Sequence, residues 1–405
     1  MINVEEGVQL LLKQIKPQTK TMELELLDSI GWVLSDDVYA PFSVPHFPKS
    51  GMDGYAIRSE DSISASLDHP IQLQVVGEIL AGDDKEYQAQ ELTAVRIMTG
   101  GEVPKGYDCV IKQEDTDYGE ETVQIFKELK PYENYCKIGE DIEKGEKIIE
   151  KHTRLTCSHI GVLASMGISK VRVLAPLKVG IIATGSEIIK PGDLLGPAKV
   201  YSSSSYNIAG FLQCQGVDVK FIHICKDEKS LMEDMIKNEI EKVDLLITTG
   251  AVSVGKKDII PEVLEGIGAK ILFQRVNMKP GTPVLSSIYQ DKVILSFSGN
   301  PFASFINFQV FFWPILGKYL SNDTFLLKKG KAVVKEGFLK STKLRRYVRA
   351  FEENGEVSLI SKNHFSSVLS SVLDCNCILI QEEEREIRVG EVVDILYIKG
   401  SMSFI

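Results

Sequence analysis

Three stretches in the second half of the chain each read as a buried strand running into a glycine turn. They are VGIIATGSE, ending at Glu187, VDLLITTGAVSVGKKD, ending at Asp258, and VILSFSGNP, ending at Pro301. In an open parallel sheet, ligands bind beyond the carboxyl ends of the strands, so these glycine-opened loops predict a shared crevice. Gly185, Gly250, Gly255 and Gly299 let backbone N–H groups approach an anion, and the helix after each turn offers its positive end. Glu187 and Asp258 add carboxylates beside those donors, which would repel an anion unless a cation such as Mg²⁺ lay between them. A glycine after a strand is often only a turn residue. Their recurrence at one sheet edge favours a metal-assisted phosphate or oxyanion site.

Around these loops strands and helices alternate: KVGIIA, SSYNIAGFLQCQG, KFIHI, KSLMEDMIKNEIEK, DLLITT, a helix after Asp258, VILSF and a final long helix. That order predicts an αβα three-layer parallel-sheet domain with right-handed crossovers over residues 175–321. Beyond it, KAVVKEG, RRYVRAF, EVSLI, CILI and VVDILYI predict a small C-terminal β-barrel or sandwich over 322–405. Upstream, IQLQVV, AVRIM, DCVIK and TVQIF alternate between polar turns, so 45–141 is expected to be a β domain. Helical periodicity returns in SHIGVLASMGI, which makes the β domain an insertion into an elongated stalk of residues 1–44 plus 142–174. The stalk opens with MINVEEGVQLLLKQI, an amphipathic helix with Asn3 as N-cap and Glu6 at N3, followed by the break at Pro17 and a second amphipathic segment, MELELLDSIGWVL.

Length and charge narrow the classes. A chain of 405 residues predicts more than one core, and a formal net charge of −10 argues against nucleic acid as a bulk partner. Seven cysteines without a CxxC pair fit a reducing cytoplasm, and the amino terminus has no signal-peptide pattern. The longest apolar run, PFASFINFQVFFWPIL, is interrupted by Asn307 and Gln309 and is too short for a membrane span of roughly 20 residues. It reads as a buried helix.

The segments PHFPKSGMDGYAI, RIMTGGEVPKGYDCVIKQED, GEDI, IIATGSEI, TTGAVSVGKKD, KPGTP and SGNP occur in the order found in molybdopterin molybdenumtransferases, a family that includes the E domain of gephyrin. The chain resembles that family over nearly its whole length. The resemblance implies a homodimer in which the αβα domain of one subunit faces the inserted β domain of the other. It also implies a reaction in which adenylylated molybdopterin and molybdate yield molybdenum on the dithiolene sulfurs and free AMP, with Mg²⁺. By the same resemblance, catalysis falls on Asp53, Thr99, Glu187, Asp227 and Asp258, and the metal on Glu187 and Asp258. Ligand binding is implied for Asp141, Gly185, Ser186, Gly250, Ser253, Gly255, Arg275, Lys279, Gly281, Ser298, Gly299, Asn300 and Pro301. A molybdopterin adenylyltransferase and apo-molybdoenzymes are the implied partners, with no membrane or nucleic acid.

Several positions depart from the family pattern. Lys49 replaces an amide or acidic residue, Ser186 an aspartate, Thr282 a lysine, and Ser202 and Ser204 an aspartate and an asparagine, while Ala251, Phe297 and Ser298 alter the other loops. These losses of charge keep alternatives open: a non-catalytic molybdopterin- or nucleotide-binding paralogue, or a tungstate-using homologue. Plainer readings exist for single residues too. Asp227 or Asp258 could cap a helix, and Thr99 could be a turn residue. Cys375 and Cys377 are expected on one face of a strand, Arg345 and Arg346 read as a solvated pair, and the six histidines carry no metal spacing.

Overall fold

The computed structural model describes residues 1–252, 259–360 and 365–400. Its centre is a six-stranded sheet in the order β2-β1-β3-β6-β5-β4. The strands are β1 (Lys178–Thr184), β2 (Asp218–Cys225), β3 (Leu245–Thr249), β4 (Lys270–Gln274), β5 (Leu285–Tyr289) and β6 (Lys292–Phe297). Strands β1, β2, β3 and β6 run parallel, and β5 is antiparallel to both its neighbours, so β4 again points the same way as β6.

Helices α1 (Ser203–Gln213) and α4 (Pro301–Tyr319) cover one face, α2 (Lys229–Glu239) and α3 (Ile260–Gly266) the other. Ile208, Leu212, Phe305 and Phe308 pack on Val179, Ile181 and Ile247, whereas Met232, Ile236, Val263 and Leu264 pack on Ile182, Leu246 and Ile294. The split of Ile181 from Ile182 between layers is the two-residue period of a strand buried on both sides. This is the expected αβα fold, with the β4–β5 hairpin as an addition. Ser286 and Ser287, both fully buried, interrupt the apolar signal of β5 and hide it from a pattern reading.

Helix α4 is mostly apolar because most of its length is buried, 15 of its 19 residues. The amino-terminal helix Val4–Leu12 begins at Asn3, whose side chain accepts from the Glu6 N–H at 2.7 Å. It packs on α4 so closely that a Cβ on Gly7 would stand 3.3 Å from Phe311. The second amphipathic segment is a strand, Thr21–Glu25, paired with Lys170–Leu174, and then a single 3-10 turn, Leu27–Ser29. Its Met22-Glu23-Leu24-Glu25-Leu26 alternation has period two, which suits a strand and not a helix.

A five-stranded sheet takes the order Cys109–Lys112, Gly54–Ile57, Thr93–Ile97, Ile71–Ile79, Thr122–Ile125. The four alternating runs of the middle segment are strands of this sheet; the additional strand is Gly54–Ile57. Glycine weakens a strand pattern, yet here it is required, because a Cβ on Gly54 would meet the Ile111 carbonyl oxygen at 1.8 Å.

The carboxyl-terminal strands β7 (Lys329–Glu336), β8 (Arg346–Glu353), β9 (Glu356–Leu359), β10 (Cys377–Gln381) and β11 (Val392–Tyr397) close a barrel. The pairing of Cys375 with Cys377 on one strand face is corrected. Cys375 precedes β10 and packs in the core around α4, while Cys377 packs inside the barrel. All seven cysteines are unpaired thiols. Among the described residues no helix is long and apolar enough to cross a membrane.

Candidate functional site

The carboxyl ends of β1, β2, β3, β4 and β6 share one edge of the central sheet. After β1 the chain turns tightly, with the Gly185 N–H donating to the Cys225 carbonyl at 3.1 Å and the Ile188 N–H to the Gly185 carbonyl at 3.0 Å. Glu187 is exposed, and its carboxylate folds back over Gly185, where a Cβ would stand 2.8 Å from Oε1. Asp227, after β2, accepts the Ser186 N–H at 3.0 Å, and the Ser186 hydroxyl accepts the Asp227 N–H at 3.3 Å. The capping reading of Asp227 is therefore corrected: Glu228 holds the N-cap position of α2, and Asp227 ties two loops together.

Gly250 follows β3 with φ +97°, and its N–H donates to the Phe297 carbonyl at 3.0 Å. A Cβ on Gly299 would stand 3.3 Å from the Gly250 Cα, so the loops after β3 and β6 touch backbone to backbone. Ser253, Gly255 and Asp258 lie outside the described residues.

The β4–β5 hairpin carries Arg275, exposed at φ +65°, and the Lys279–Pro283 loop to the same edge. Thr282 Oγ1 donates to the Met278 carbonyl and closes that loop. Asn307 of α4 then joins it to the loop after β6: Nδ2 donates to the Gly281 carbonyl at 2.8 Å, and Oδ1 accepts the Ser298 N–H at 3.3 Å. A polar residue in an otherwise apolar helix was the available sign of this role.

Lys279 also pairs with the barrel. Its N–H donates to the Arg345 carbonyl at 2.8 Å, and its own carbonyl accepts the Tyr347 N–H at 2.8 Å. Between loop, helix start and barrel lies a cleft of about 700 Å³ lined by Lys279, Gly281, Thr282, Ser298, Asn300 and Arg346, among others. Arg346 is half-buried, and burial lowers its guanidinium pKa. Among the described residues neither Lys279 nor Arg346 has an ion-pair partner. The solvated-pair reading is thus corrected: Arg345 is bound by Glu5 and Glu382, and Arg346 turns into the cleft.

Asp53 and Thr99 do come together, on the five-stranded sheet. Asp53 Oδ1 accepts both the Thr99 N–H and its hydroxyl, each at 2.7 Å, and these donors hold the Asp53 carboxyl below the usual carboxylate range. Asp141 is exposed, with its N–H on the Val44 carbonyl at 3.1 Å. Among the described residues no group of three or more His, Cys, Asp and Glu side chains could hold a metal. Mg²⁺ keeps several waters and is bound through one or two carboxylates plus substrate phosphates, so Glu187 and Asp227, oxygen donors on adjoined turns, fit it better than a closed metal site would.

Known proteins are similar to this chain over nearly its whole length. Residues 2–167 match the MoeA N-terminal region (domain I and II), and residues 180–318 match a probable molybdopterin binding domain. The molybdopterin molybdenumtransferase of Staphylococcus epidermidis is 33% identical over 98% of this chain and 95% of its own length. That of Bacillus subtilis is 34% identical over 98% and 94%. A crystal structure of the molybdopterin biosynthesis MoeA protein from Pyrococcus horikoshii OT3 superposes with a TM-score of 0.84 at 28% identity, covering 98% of this chain and all of that one. The chain belongs to the MoeA family of molybdopterin molybdenumtransferases, which serve molybdenum cofactor biosynthesis.

Proposed function

We propose that this protein takes adenylylated molybdopterin and molybdate, cleaves the phosphoanhydride, leaves molybdenum on the dithiolene sulfurs and releases AMP. The observation that carries this reading is the separation of charge along the sheet edge. Glu187 and Asp227 stand at the ends of β1 and β2, while Lys279 and Arg346 line the cleft beside β6, β5 and β4. Two to five strand spacings part them, roughly 10–25 Å, which suits an extended pterin–nucleotide with a free oxyanion at its far end.

Each group has work that its chemistry suits. Lys279 offers a point charge and Arg346 two parallel donors to the molybdate oxygens. The start of α4 at Asn300 and Pro301 adds the positive end of a helix to the same cleft. The close-set backbone at Gly185, Gly250 and Gly299 leaves room for phosphate against N–H donors. Mg²⁺, held by Glu187 with Asp227 and Asp258, would neutralise charge on the phosphoryl oxygens. Asp53, kept ionised by Thr99, supplies a fixed acceptor from the facing subunit of a homodimer.

Exposed Leu194, Leu195, Val200 and Tyr201, next to the Glu187 turn, support such a facing copy. The unpaired thiols support a cytoplasmic setting, and we propose the division into stalk, inserted sheet, αβα domain and barrel at the boundaries given above.

The test is AMP release from adenylylated molybdopterin by the purified protein with Mg²⁺, with and without molybdate. Molybdate-dependent release that is lost in Glu187→Ala supports the reading; tight binding without release moves the chain to a binding-only role. Tungstate in place of molybdate separates the two oxyanions. Mixing inactive Asp53→Ala and Glu187→Ala subunits tests the shared site: about a quarter of wild-type activity should return if each site draws on both chains, and none if it does not.

A further inference from the structure

A second cavity, of about 250 Å³, opens at the other edge of the central sheet, where Leu177 leads into β1 and Val217 into β2. The carboxyl end of α4 lines it, whereas the amino end of α4 lines the cleft of Lys279 and Arg346, roughly 20 Å away along the helix. Its walls include Val33, Leu177, Leu316, Leu320 and Phe325, all buried, together with the half-buried Arg154. Arg154 Nε donates to the Gly31 carbonyl at 2.9 Å and Nη1 to Gln215 Oε1 at 3.2 Å, and the guanidinium carbon lies 4.6 Å from the centre of the Phe325 ring. Among the described residues Nη2 has no hydrogen-bond partner and no carboxylate pairs with the side chain, whose pKa burial alone moves, downward.

An arginine beside helix carboxyl ends can serve merely to satisfy their last carbonyls. Here the turns already do so. At the end of α1 the Val217 N–H donates to the Leu212 carbonyl at 3.1 Å and the Gly216 N–H to that of Gln213 at 3.0 Å; at the end of α4 the Asn322 N–H donates to the Gly317 carbonyl at 2.9 Å. Nη2 stays beside Gly31, where a Cβ would stand 3.8 Å from it. Lys399, also half-buried, donates to the Thr324 carbonyl at 2.7 Å, and burial followed by the Arg154 charge pushes its ammonium down to about 8. Two neighbouring cations without a compensating carboxylate set up a positive field beside an apolar cavity, and partial dehydration strengthens it.

This combination selects a ligand with one negative end and an apolar body. A bare inorganic anion would leave the apolar walls unused, and a neutral hydrocarbon would leave the guanidinium unused. A cavity of about 150 Å³ holds benzene, so this one admits a fused pair of rings. We infer that the cavity is a binding site for a small apolar carboxylate, its negative end on Arg154 and its ring among Leu177, Leu316 and Leu320.

Calorimetric titration of naphthoate into the full chain tests this, with naphthamide, of the same shape but uncharged, as the paired probe. One site with a Kd of about 1 mM or tighter is expected for naphthoate. Naphthamide on wild type, and naphthoate on Arg154→Gln, should each bind at least about 10-fold more weakly. Cys214 also lines the cavity, and Cys214→Trp fills it while leaving Arg154 in place, so this variant too should weaken naphthoate at least about 10-fold. Should Arg154→Gln lack a cooperative unfolding transition, Cys214→Trp decides. Lys279→Gln should bind naphthoate as wild type does. A wild-type protein that takes up no naphthoate, equal affinity for naphthamide, or unchanged affinity in Cys214→Trp overturns the inference, and loss of binding in Lys279→Gln overturns it by moving the anion to the other cleft.

Discussion

Gly250→Ala imposes two separate costs at one residue. The native φ of +97° lies outside the small left-handed well that side-chain-bearing residues tolerate, so alanine there costs on the order of 1–3 kcal/mol in backbone strain. Its Cβ would also stand 2.3 Å from the Thr184 carbonyl oxygen. That oxygen belongs to β1, so the contact is relieved only by moving a central strand, at about another 1–3 kcal/mol. Gly268→Ala is the matched control, because Gly268 has φ +77° and nothing within 4 Å of its would-be Cβ.

The difference between the two variants isolates the contact. For a domain of this size each kcal/mol shifts the melting temperature by about 2–4 °C, so Gly250→Ala should melt roughly 2–12 °C below Gly268→Ala in scanning calorimetry. Thr184 also leads into the turn that carries Glu187. A displacement near 1 Å there should cut AMP release on the order of 100-fold, while Gly268→Ala keeps wild-type turnover. Equal melting temperatures for the two variants would refute the steric argument, and full turnover in Gly250→Ala would refute the link from backbone contact to site geometry.

Two further outcomes follow from the charges. Thr99 holds the folded pKa of Asp53 below its unfolded value of about 3.9. The stabilisation is therefore fully present above the unfolded pKa and is lost as pH falls through the folded one. Asp53→Asn should melt below wild type at neutral pH, and the gap should close on acidification through the folded pKa; a gap independent of pH would rule out the charge as its source. Thr282→Lys places a third cation in the cleft beside Lys279 and Arg346 and should tighten molybdate about 3–10-fold by calorimetry, while loss of the bond to the Met278 carbonyl lowers stability by about 0.5–1.5 kcal/mol. No tightening would mean that position 282 does not face the anion.

Much of the fold was legible locally. The runs that became β1, β2, β3 and β6 are short, apolar and punctuated, and the five barrel strands fall on the five runs read as strands. What escaped was polar or glycine-bearing. Ser286 and Ser287 in β5 and Gly54 in the inserted sheet are buried for reasons that lie in neighbouring strands, so no local pattern announces them. Asp227 shows the same limit within the site: its position in the sequence suits a helix cap equally well, and only the adjacency of β1 and β2 gives it the Ser186 N–H as a partner.

The sequence by itself determined which loops could carry chemistry, because an apolar run ending in glycine both builds a buried strand and frees the backbone beyond it. It also determined the family, through motifs spread in order along the chain. Tertiary structure alone decided which residues share a cleft. The antiparallel β5 returns the chain so that Arg275 and the Lys279–Pro283 loop reach the edge where β1, β3 and β6 end, and pairing of Lys279 with β8 brings in Arg346. Strand order and the docking of the barrel are set by burial summed over distant segments. A residue's own neighbours in the chain carry no record of which backbone will lie across from it.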